Sequence, residues 1–236
     1  MRTLSSPPTH PFASFVLPFP RCAPPHSLLI RLAHDDELAS IAATLCAPHL
    51  LPPPLSPPLR RLAVDDILHR FAGPERRRLD AIGASALFVA ADGPQLVGAC
   101  GVQLLALTSA AACERRITRD DKADMAVRPL ASNLVVAPPY RRKGIGARLV
   151  ARVERCAADW GFDEMLLKVE ADNLRARRFY ASLGYHAVAR DTRAERPART
   201  LFSRVRWERT TLVCMRKLGL RRAGREALAE SLEAEA

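Results

Sequence analysis

The stretch 132-SNLVVAPPYRRKGIGARLVARVERCAADWGF-162 predicts a buried strand, a turn and an amphipathic helix in direct succession. The Leu-Val-Val run is typical of a buried strand, and Pro138-Pro139 ends that strand because proline lacks a backbone donor. After the turn, apolar residues recur at helical spacing and form one stripe, which consists of Ile145, Leu149, Val153, Cys156 and Trp160. This strand–turn–helix unit is the centre of the predicted fold.

The turn between this strand and this helix has the composition of an anion-binding site. Gly144 and Gly146 let backbone N–H groups approach a phosphate, and the dipole of the following helix favours negative charge there. The P-loop pattern GxxxxGK[ST] is absent, and Leu149 stands where a dinucleotide fingerprint has its third glycine. The predicted ligand is therefore a pyrophosphate that is neither a P-loop nucleotide nor NAD. Three cations precede the glycines: Arg141, Arg142 and Lys143.

A second motif, 170-EADNLRARRFYASLGY-185, follows the first along the chain. Together, Arg141-x-x-Gly144-x-Gly146 and this motif resemble the GCN5-related N-acetyltransferase (GNAT) family. The resemblance extends over roughly residues 27–218 and is strongest from residue 132 to residue 185. It implies a single α/β domain with a mixed, V-splayed β-sheet flanked by helices, and acetyl-CoA in the cleft between the central parallel strands.

The resemblance also implies roles for individual residues. Backbone groups of Leu134, Val135 and Val136 would pair with the pantetheine amides of acetyl-CoA. Asn173 would contact the cofactor arm, and Tyr180 would lie near the thioester sulfur as the general acid for the departing thiolate. The pyrophosphate would be held by the turn and the first helical residues, namely Arg141, Arg142, Lys143, Gly144, Ile145, Gly146 and Ala147.

Each of these residues also has a structural interpretation. The cations of the turn could be a solvated face, and Asn173 is a favourable helix N-cap. Tyr180 lies on an apolar stripe with Ala176, Phe179 and Leu183, and a tyrosine on such a stripe more often packs in the core. The pairing of the two motifs favours the functional interpretation.

The general base has a candidate and two alternatives. Attack on a thioester needs a neutral amine, so a carboxylate often takes the proton. In N-terminal acetyltransferases of the ribosomal-protein type, which this sequence also resembles, a Glu stands five residues before the Asn of the second helix, and here that position is Lys168. Glu170 lies two positions on, on the same strand face, and is the candidate base. Alternatively, Glu170 forms an edge-of-strand salt bridge, or solvent deprotonates the amine.

The rest of the sequence predicts one domain, residues 27–218. The first half contains a strand at 28–33, a helix at 35–46, an extended proline-rich loop at 51–59, an arginine-rich helix at 62–79, a hairpin of 86–92 and 95–107, and a loop at 108–127. The second half contains strands at 130–137, 165–170, 185–190 and 210–218, helices at 144–160 and 173–183, and an arginine-rich excursion at 192–209.

The two ends of the chain differ in composition from this domain. Thirteen of the 19 prolines lie within residues 1–58, and no Asp or Glu precedes Asp35. Residues 1–26 therefore resemble an organelle transit peptide, with a disordered proline-rich tail as the alternative. This favours a plastid location, and otherwise a cytoplasmic one. The acidic, alanine-rich residues 219–236 are predicted to be a frayed helix or disordered.

Charge and composition restrict the partners. A net charge of +11 favours an anionic partner, and the sequence has no apolar run of about 18 residues that would predict a membrane span. The six cysteines and six histidines are scattered without metal-ligand spacing, so no metal site is predicted. Aromatic residues make up only 6% and no nucleic-acid-binding motif occurs, so nucleic acid is not a predicted partner.

The predicted activity is direct transfer of an acetyl group from acetyl-CoA to a primary amine, without a covalent enzyme adduct. The motifs look most like plastid-type family members that acetylate lysines and protein N-termini, so a protein or peptide amine is the predicted acceptor. The alternatives are a small-molecule amine acetyltransferase and, because of Lys168, a non-catalytic acyl-CoA-binding regulator. The arginines of the 192–209 excursion favour acidic peptides, unless they pair with Asp191, Glu195 and Glu208.

Overall fold

A computed structural model describes residues 28–47, 57–73, 84–108, 125–199 and 205–221. In this part of the chain, seven strands form one sheet in the order β1-β2-β3-β4-β5-β7-β6. The predicted N-terminal tail, 1–26, and residues 222–236 of the predicted C-terminal tail lie outside the described residues. The strands are β1 (Leu28–Leu32), β2 (Ser85–Asp92), β3 (Gln95–Leu107), β4 (Ala126–Val136), β5 (Glu164–Glu170), β6 (His186–Arg199) and β7 (Val205–Leu218).

Helices precede and alternate with these strands. A 3-10 turn at Asp35–Glu37 leads into α1, and a π-helical segment at Ile41–Cys46 extends it. The helix predicted at 35–46 is thus one irregular helical element. The described α-helices are α1 (Leu38–Ser40), α2 (Pro57–Phe71), α3 (Ile145–Asp159) and α4 (Leu174–Ser182).

Helix α2 begins earlier than the sequence predicts. An extended loop is predicted over 51–59 and a helix from Leu62, whereas α2 begins at Pro57. The prediction is wrong for residues 57–61 because prolines are accepted in the first turn of a helix, where N–H groups have no intrahelical partner. α2 ends at Phe71, two residues before Gly73, whose φ of 99° does not fit a helix.

The sheet opens between its two central strands. Neighbouring strands are antiparallel except β4 and β5, which are parallel. These two pair only at Leu130 with Leu166 and at Ala131 with Leu167, although β4 continues to Val136. Past these pairs the strands separate and leave a V-shaped gap. The predicted mixed, V-splayed sheet flanked by helices is confirmed.

Helices on both faces hold the strands around the gap. On one face the apolar stripe of α3, with Leu149 at its centre, packs on a core that includes Met165 of β5. On the other face α2 packs against β2 and β3. Phe71 of α2 lies so close to β3 that a Cβ on Gly101 would meet its ring at 2.3 Å. Any side chain at position 101 would force this buried ring to move, so glycine allows α2 to approach β3 closely.

Strands β6 and β7 continue past the sheet as a two-stranded ribbon. The last pair that joins β5 to β7 is Glu170 with Leu212, whereas β7 begins at Val205 and pairs with β6 as far as Arg199. The arginine-rich excursion predicted at 192–209 is therefore wrong for its described residues, 192–199 and 205–209, which all belong to β6 and β7.

Residues of opposite charge face each other across the two strands of this ribbon. Glu195 lies opposite Arg209, and Arg196 lies opposite Glu208. Opposite charges on facing residues stabilise a strand pair. Part of the ribbon's positive charge is therefore balanced within the ribbon itself.

Candidate functional site

The V-shaped gap has an edge of free backbone along β4. A bulge at Asn133, whose φ is 56°, shifts the pairing of β4 with β3 by one residue. Past the bulge, Ala137 N donates to Val97 O at 2.8 Å. This bond shows that the backbone groups of the odd-numbered residues 135 and 137 point towards β3. Because successive residues of an antiparallel ladder turn their backbone groups to opposite sides, Leu134 and Val136 direct theirs into the gap.

Val135 has the opposite orientation. Its register partner is Ala99, and its carbonyl oxygen lies 3.1 Å from where a Cβ on Gly98 would stand. Its N–H and C=O groups are therefore used in pairing with β3. The expectation that Val135 also pairs with a pantetheine arm is corrected accordingly, because only Leu134 and Val136 offer backbone groups to a ligand in the gap.

The turn at the mouth of the gap has two residues in the left-handed backbone region. They are Arg142, with φ 65°, and Gly144, with φ 78°, which is the N-cap of α3. The first helical bond of α3 runs from Arg148 N to Gly144 O. The N–H groups of residues 145–147 consequently have no intrahelical acceptor. A strained turn and free donors at a helix N-terminus fit an anion with several oxygens.

The cationic side chains of this turn have different surroundings. Arg141 Nε donates to Val136 O at 2.9 Å, so this guanidinium fastens the turn to the end of β4. The N–H group of Val136 remains for a ligand. Arg142 is exposed, and Lys143 Nζ lies 5.2 Å from the centre of the Tyr140 ring. Arg141 is thus a positioning residue, while Arg142 and Lys143 bring positive charge to the surface of the turn.

Three further residues of the turn contribute backbone rather than side chains. Ile145 is buried in the core, so only its backbone can meet a ligand. A Cβ on Gly146 would lie 3.4 Å from Phe179 Cζ and 3.8 Å from Val136 Cγ2, so a side chain there has little space. Ala147 carries only a methyl group. These three residues would therefore meet a ligand chiefly through their backbone.

Helix α4 follows β5 and packs on the same face of the sheet as α3. Its N-cap is Asn173, whose Oδ1 accepts a hydrogen bond from Ala176 N at 3.0 Å. This is the structural role considered for Asn173. Its side-chain NH₂ group has no acceptor among the described residues and is available to a ligand.

Tyr180 lies in an aromatic cluster on α4. Its ring meets Phe179 and Tyr185 edge-on, at centroid distances of 5.3 and 5.7 Å. Its hydroxyl makes no hydrogen bond to any described residue, and the side chain is half-buried. Burial, with a smaller effect of nearby Cys100, raises the pKa of Tyr180 above its usual range. The phenol therefore stays protonated at neutral pH and can donate a hydrogen bond or a proton.

Glu170, the candidate base, ends β5 and is bound in an ion pair. Its Oε2 accepts from Arg196 Nη1 at 2.9 Å, and Asp172 Oδ2 lies 3.9 Å from the same nitrogen. Lys168, on the same strand face, forms no ion pair with any described residue. Sequence reasoning missed Arg196 as a contact of the base, and no local signal could have revealed it because 26 positions separate the two residues.

Two further polar groups mark the point where β4 and β5 part. Ser132 Oγ and Asn133 Oδ1 are buried and have no hydrogen-bond partner in the described part of the chain. A buried polar atom without a partner costs roughly 1–3 kcal/mol, so such atoms usually meet water or a ligand. Sequence reasoning missed both. The only signal was Asn133 itself, because asparagine tolerates the left-handed conformation of a bulge.

The described part of the chain was also compared with the requirements of a metal site and of a membrane-spanning helix. No group of His, Cys, Asp and Glu side chains there is arranged to hold a metal ion. None of its helices is long and apolar enough to cross a membrane. The described cysteines are free and buried, and burial raises the pKa of Cys100, beside Tyr180, to about 12, so this thiol stays protonated.

Comparison with known proteins identifies related sequences. A profile described as "Acetyltransferase (GNAT) family" matches residues 57–185. GCN5-related N-acetyltransferase 7, chloroplastic, of Arabidopsis thaliana is 35% identical over 54 residues, which are 23% of this chain and 20% of that protein. An uncharacterized N-acetyltransferase of Mycobacterium tuberculosis is 43% identical over 54 residues, 23% of this chain and 35% of that protein. The matches thus span a minor part of these curated relatives.

Solved structures share the fold. Naa20 of Chaetomium thermophilum, in complex with a bisubstrate analogue, aligns with a TM-score of 0.55 and 21% identity over 84% of this chain and 90% of that chain. The ribosomal-protein-S18-alanine N-acetyltransferase of Escherichia coli aligns with a TM-score of 0.51 and 16% identity over 81% of this chain and 94% of that chain. Identities this low show a common fold and nothing about the acceptor.

Proposed function

Because the chain belongs to the acetyltransferase (GNAT) family, whose co-substrate is acetyl-CoA, we propose that it transfers an acetyl group from acetyl-CoA to a primary amine. We propose further that the acceptor is a polypeptide, through its N-terminus or a lysine side chain. The observation that supports acetyl-CoA as the donor is the gap between β4 and β5, with the backbone groups of Leu134 and the N–H group of Val136 on one side.

The fit of acetyl-CoA to this site rests on the shape and chemistry of the backbone. A pantetheine arm carries two amides, and the free groups of Leu134 and Val136 match them as a neighbouring strand would. A pyrophosphate needs several donors at one place, and the start of α3 supplies them beside Arg142 and Lys143. Bound acetyl-CoA would bring the acetyl thioester into the gap.

The side chains around the gap suggest how protons move during transfer. The attacking amine must lose a proton, and the departing thiolate must gain one. Tyr180 is protonated and has an unused hydroxyl, so we assign it the donation of a proton to the sulfur. The amine proton goes to Glu170 or to solvent. Transfer is direct, with no covalent enzyme adduct.

A thiol-release assay tests the proposed activity. The full chain is mixed with acetyl-CoA and a peptide library, and free thiol is measured over time. We expect release that depends on peptides with a free amine and ceases when the N-terminus and lysines of the peptides are blocked. Release with spermidine but with no peptide would contradict the polypeptide acceptor, and release with no amine would contradict acetyl transfer.

The substitution Glu170→Gln tests the base. Arg196 already donates a hydrogen bond to the Glu170 carboxylate at 2.9 Å, so one of its oxygens is engaged in the folded protein. We expect a loss of kcat of less than about tenfold, at the low end of what general-base catalysis contributes. A matched control is Asp172→Asn, which removes the other carboxylate near Arg196. A loss of 100-fold or more in Glu170→Gln alone would contradict solvent as the route for the amine proton.

We also propose that residues 1–26 address the protein to plastids. The proposal is supported by the composition of this segment and by the word "chloroplastic" in the names of two Arabidopsis thaliana relatives. A fluorescent protein fused behind these residues should enter plastids of a photosynthetic host. Fluorescence confined to the cytosol would contradict the proposal.

A further inference from the structure

The ribbon of β6 and β7 reaches far beyond the end of β5. Glu170, the last residue of β5, is paired with Leu212, and Trp207 lies five residues further along β7. At roughly 3.4 Å per strand residue, Trp207 is about 17 Å along the strand from the candidate base. A small amine bound near Glu170 cannot span this distance, whereas an extended polypeptide covers it with about five residues.

A cleft lies at this remote position, between Trp207 and the start of α2. Its volume is about 540 Å³. Trp207 forms one wall with its side chain 54% exposed, which is unusual for so large an apolar group. The lining residues contributed by α2 are Pro57, Pro58, Arg61, Leu62 and Asp65.

The chemistry of this cleft fits a segment of polypeptide. Prolines, a leucine and an indole ring make an apolar lining that accepts a large apolar side chain. Arg61 and Asp65 face the same cleft four residues apart on α2, yet neither forms an ion pair with any described residue. A guanidinium can donate to a peptide carbonyl, and a carboxylate can accept from a peptide N–H. Tryptophan and arginine are also the residues that most often dominate protein-binding surfaces.

A second cavity lies along the path from Glu170 to this cleft. Its volume is about 370 Å³. Its lining includes Arg209, Thr210 and Thr211, three of the four residues between Trp207 and Leu212, together with Asp172 and Arg196. Hydroxyl and guanidinium groups here suit the backbone and acidic side chains of an extended chain. Between the base and the cleft, the ribbon therefore offers hydroxyl and guanidinium groups to a bound chain.

We propose that the Trp207 cleft is an exosite for a polypeptide acceptor, in which it holds an apolar side chain about five residues from the amine that is acetylated. The proposal rests on the proposed function and deepens it, because a substrate that uses this cleft must be a polypeptide. Shorter acceptors would be acetylated without its help.

A binding experiment that does not depend on turnover tests the exosite. The chain has two tryptophans, Trp160 and Trp207, so the full-length Trp160→Phe variant leaves Trp207 as the only indole. The probes are two octapeptides that differ only at position 6, Phe or Ala. We expect a saturable blue shift of indole emission with the Phe peptide, and at least fivefold weaker binding of the Ala peptide. No shift with either peptide, or a shift with a single-stranded oligonucleotide instead, would overturn the exosite.

A kinetic experiment then tests whether the cleft serves catalysis. We expect Trp207→Ala to lower kcat/KM for the Phe octapeptide about tenfold, through KM, and to leave kcat/KM for a dipeptide with the same N-terminus unchanged. Leu218→Ala is the matched control, because Leu218 is an exposed apolar residue at the other end of β7. An equal loss with both peptides would overturn the exosite by assigning Trp207 a structural role.

The two experiments separate the failure of the exosite from that of the proposed function. If no amine is acetylated but the Phe octapeptide still shifts the emission of Trp207, the proposed activity fails and the peptide site stands. If peptides are acetylated but Trp207→Ala leaves kcat/KM of the octapeptide unchanged, the activity stands and the exosite fails.

Discussion

Tyr180→Phe should lower kcat for acetyl transfer about 100-fold while the protein remains folded, because a positioned acid contributes about 10²–10⁴ to the rate. Tyr180 lies on α4, its phenol is protonated because burial raises its pKa, and its hydroxyl makes no hydrogen bond to a described residue. Phenylalanine keeps the edge-on contacts with Phe179 and Tyr185 but cannot protonate the departing thiolate. Steady-state kinetics and a melting curve measure the two effects separately.

The matched control for this variant is Tyr185→Phe. Tyr185 is buried, and its hydroxyl lies beside Glu154 of α3, so its removal should leave kcat nearly unchanged. If Tyr180→Phe retains kcat within a factor of two, Tyr180 is a core residue only.

The pH dependence of kcat provides an independent check on Tyr180. A general acid must be protonated to act, and an ordinary tyrosine loses its proton near pH 10. Because burial raises the pKa of Tyr180, its protonated form persists through this range. We expect kcat to show no fall between pH 8 and about pH 10. A fall near pH 8.5 that is absent from Tyr180→Phe would contradict this assignment.

Gly146→Asp should weaken acetyl-CoA binding at least tenfold, or about 1.4 kcal/mol. The new Cβ would lie 3.4 Å from Phe179 Cζ, and the carboxylate would stand among the free N–H groups at the start of α3, where we place the pyrophosphate. A carboxylate in the first turn of a helix is favourable to the helix itself, so the fold should survive. Calorimetry with acetyl-CoA measures the affinity.

Gly146→Ala separates the two causes. It adds the same Cβ without a charge, so we expect a smaller loss of affinity than with Asp. Unchanged affinity of Gly146→Asp for acetyl-CoA would contradict the assignment of the pyrophosphate to this turn.

The parts of the fold that the sequence predicts are those with strong local signals. The β2–β3 hairpin has a Gly93-Pro94 turn between apolar runs, and the β4–α3 unit has prolines and glycines at its boundaries. The ribbon has neither signal. Its strands carry many charged residues and lack the alternation of apolar and polar residues that is typical of a strand. They are stabilised by the cross-strand register, which places Glu195 opposite Arg209. Register is a tertiary property, so sequence alone could not provide it.

The same distinction holds within the candidate site. The glycine turn and Asn173 are local features, and the structure has Gly144 and Asn173 as the N-caps of α3 and α4. The contact of Arg196 with Glu170 depends on where β6 lies relative to β5, with β7 between them. The orientation of Val135 depends on a bulge at Asn133, which shifts the alternation along β4. Both follow from pairing between distant strands, which a motif does not encode.

The free edge of β4 determines how this strand exchanges amide protons with solvent. Val135 is bonded to β3, so its amide should exchange slowly whether or not acetyl-CoA is present. The amides of Leu134 and Val136 face the gap, so they should exchange fast in the free protein and slowly once a pantetheine arm is bound. The ligand would then act as a strand inserted between β4 and β5. Opening of β1–β4 should then be coupled to opening of β5–β7 more tightly than the shared core couples them in the free protein.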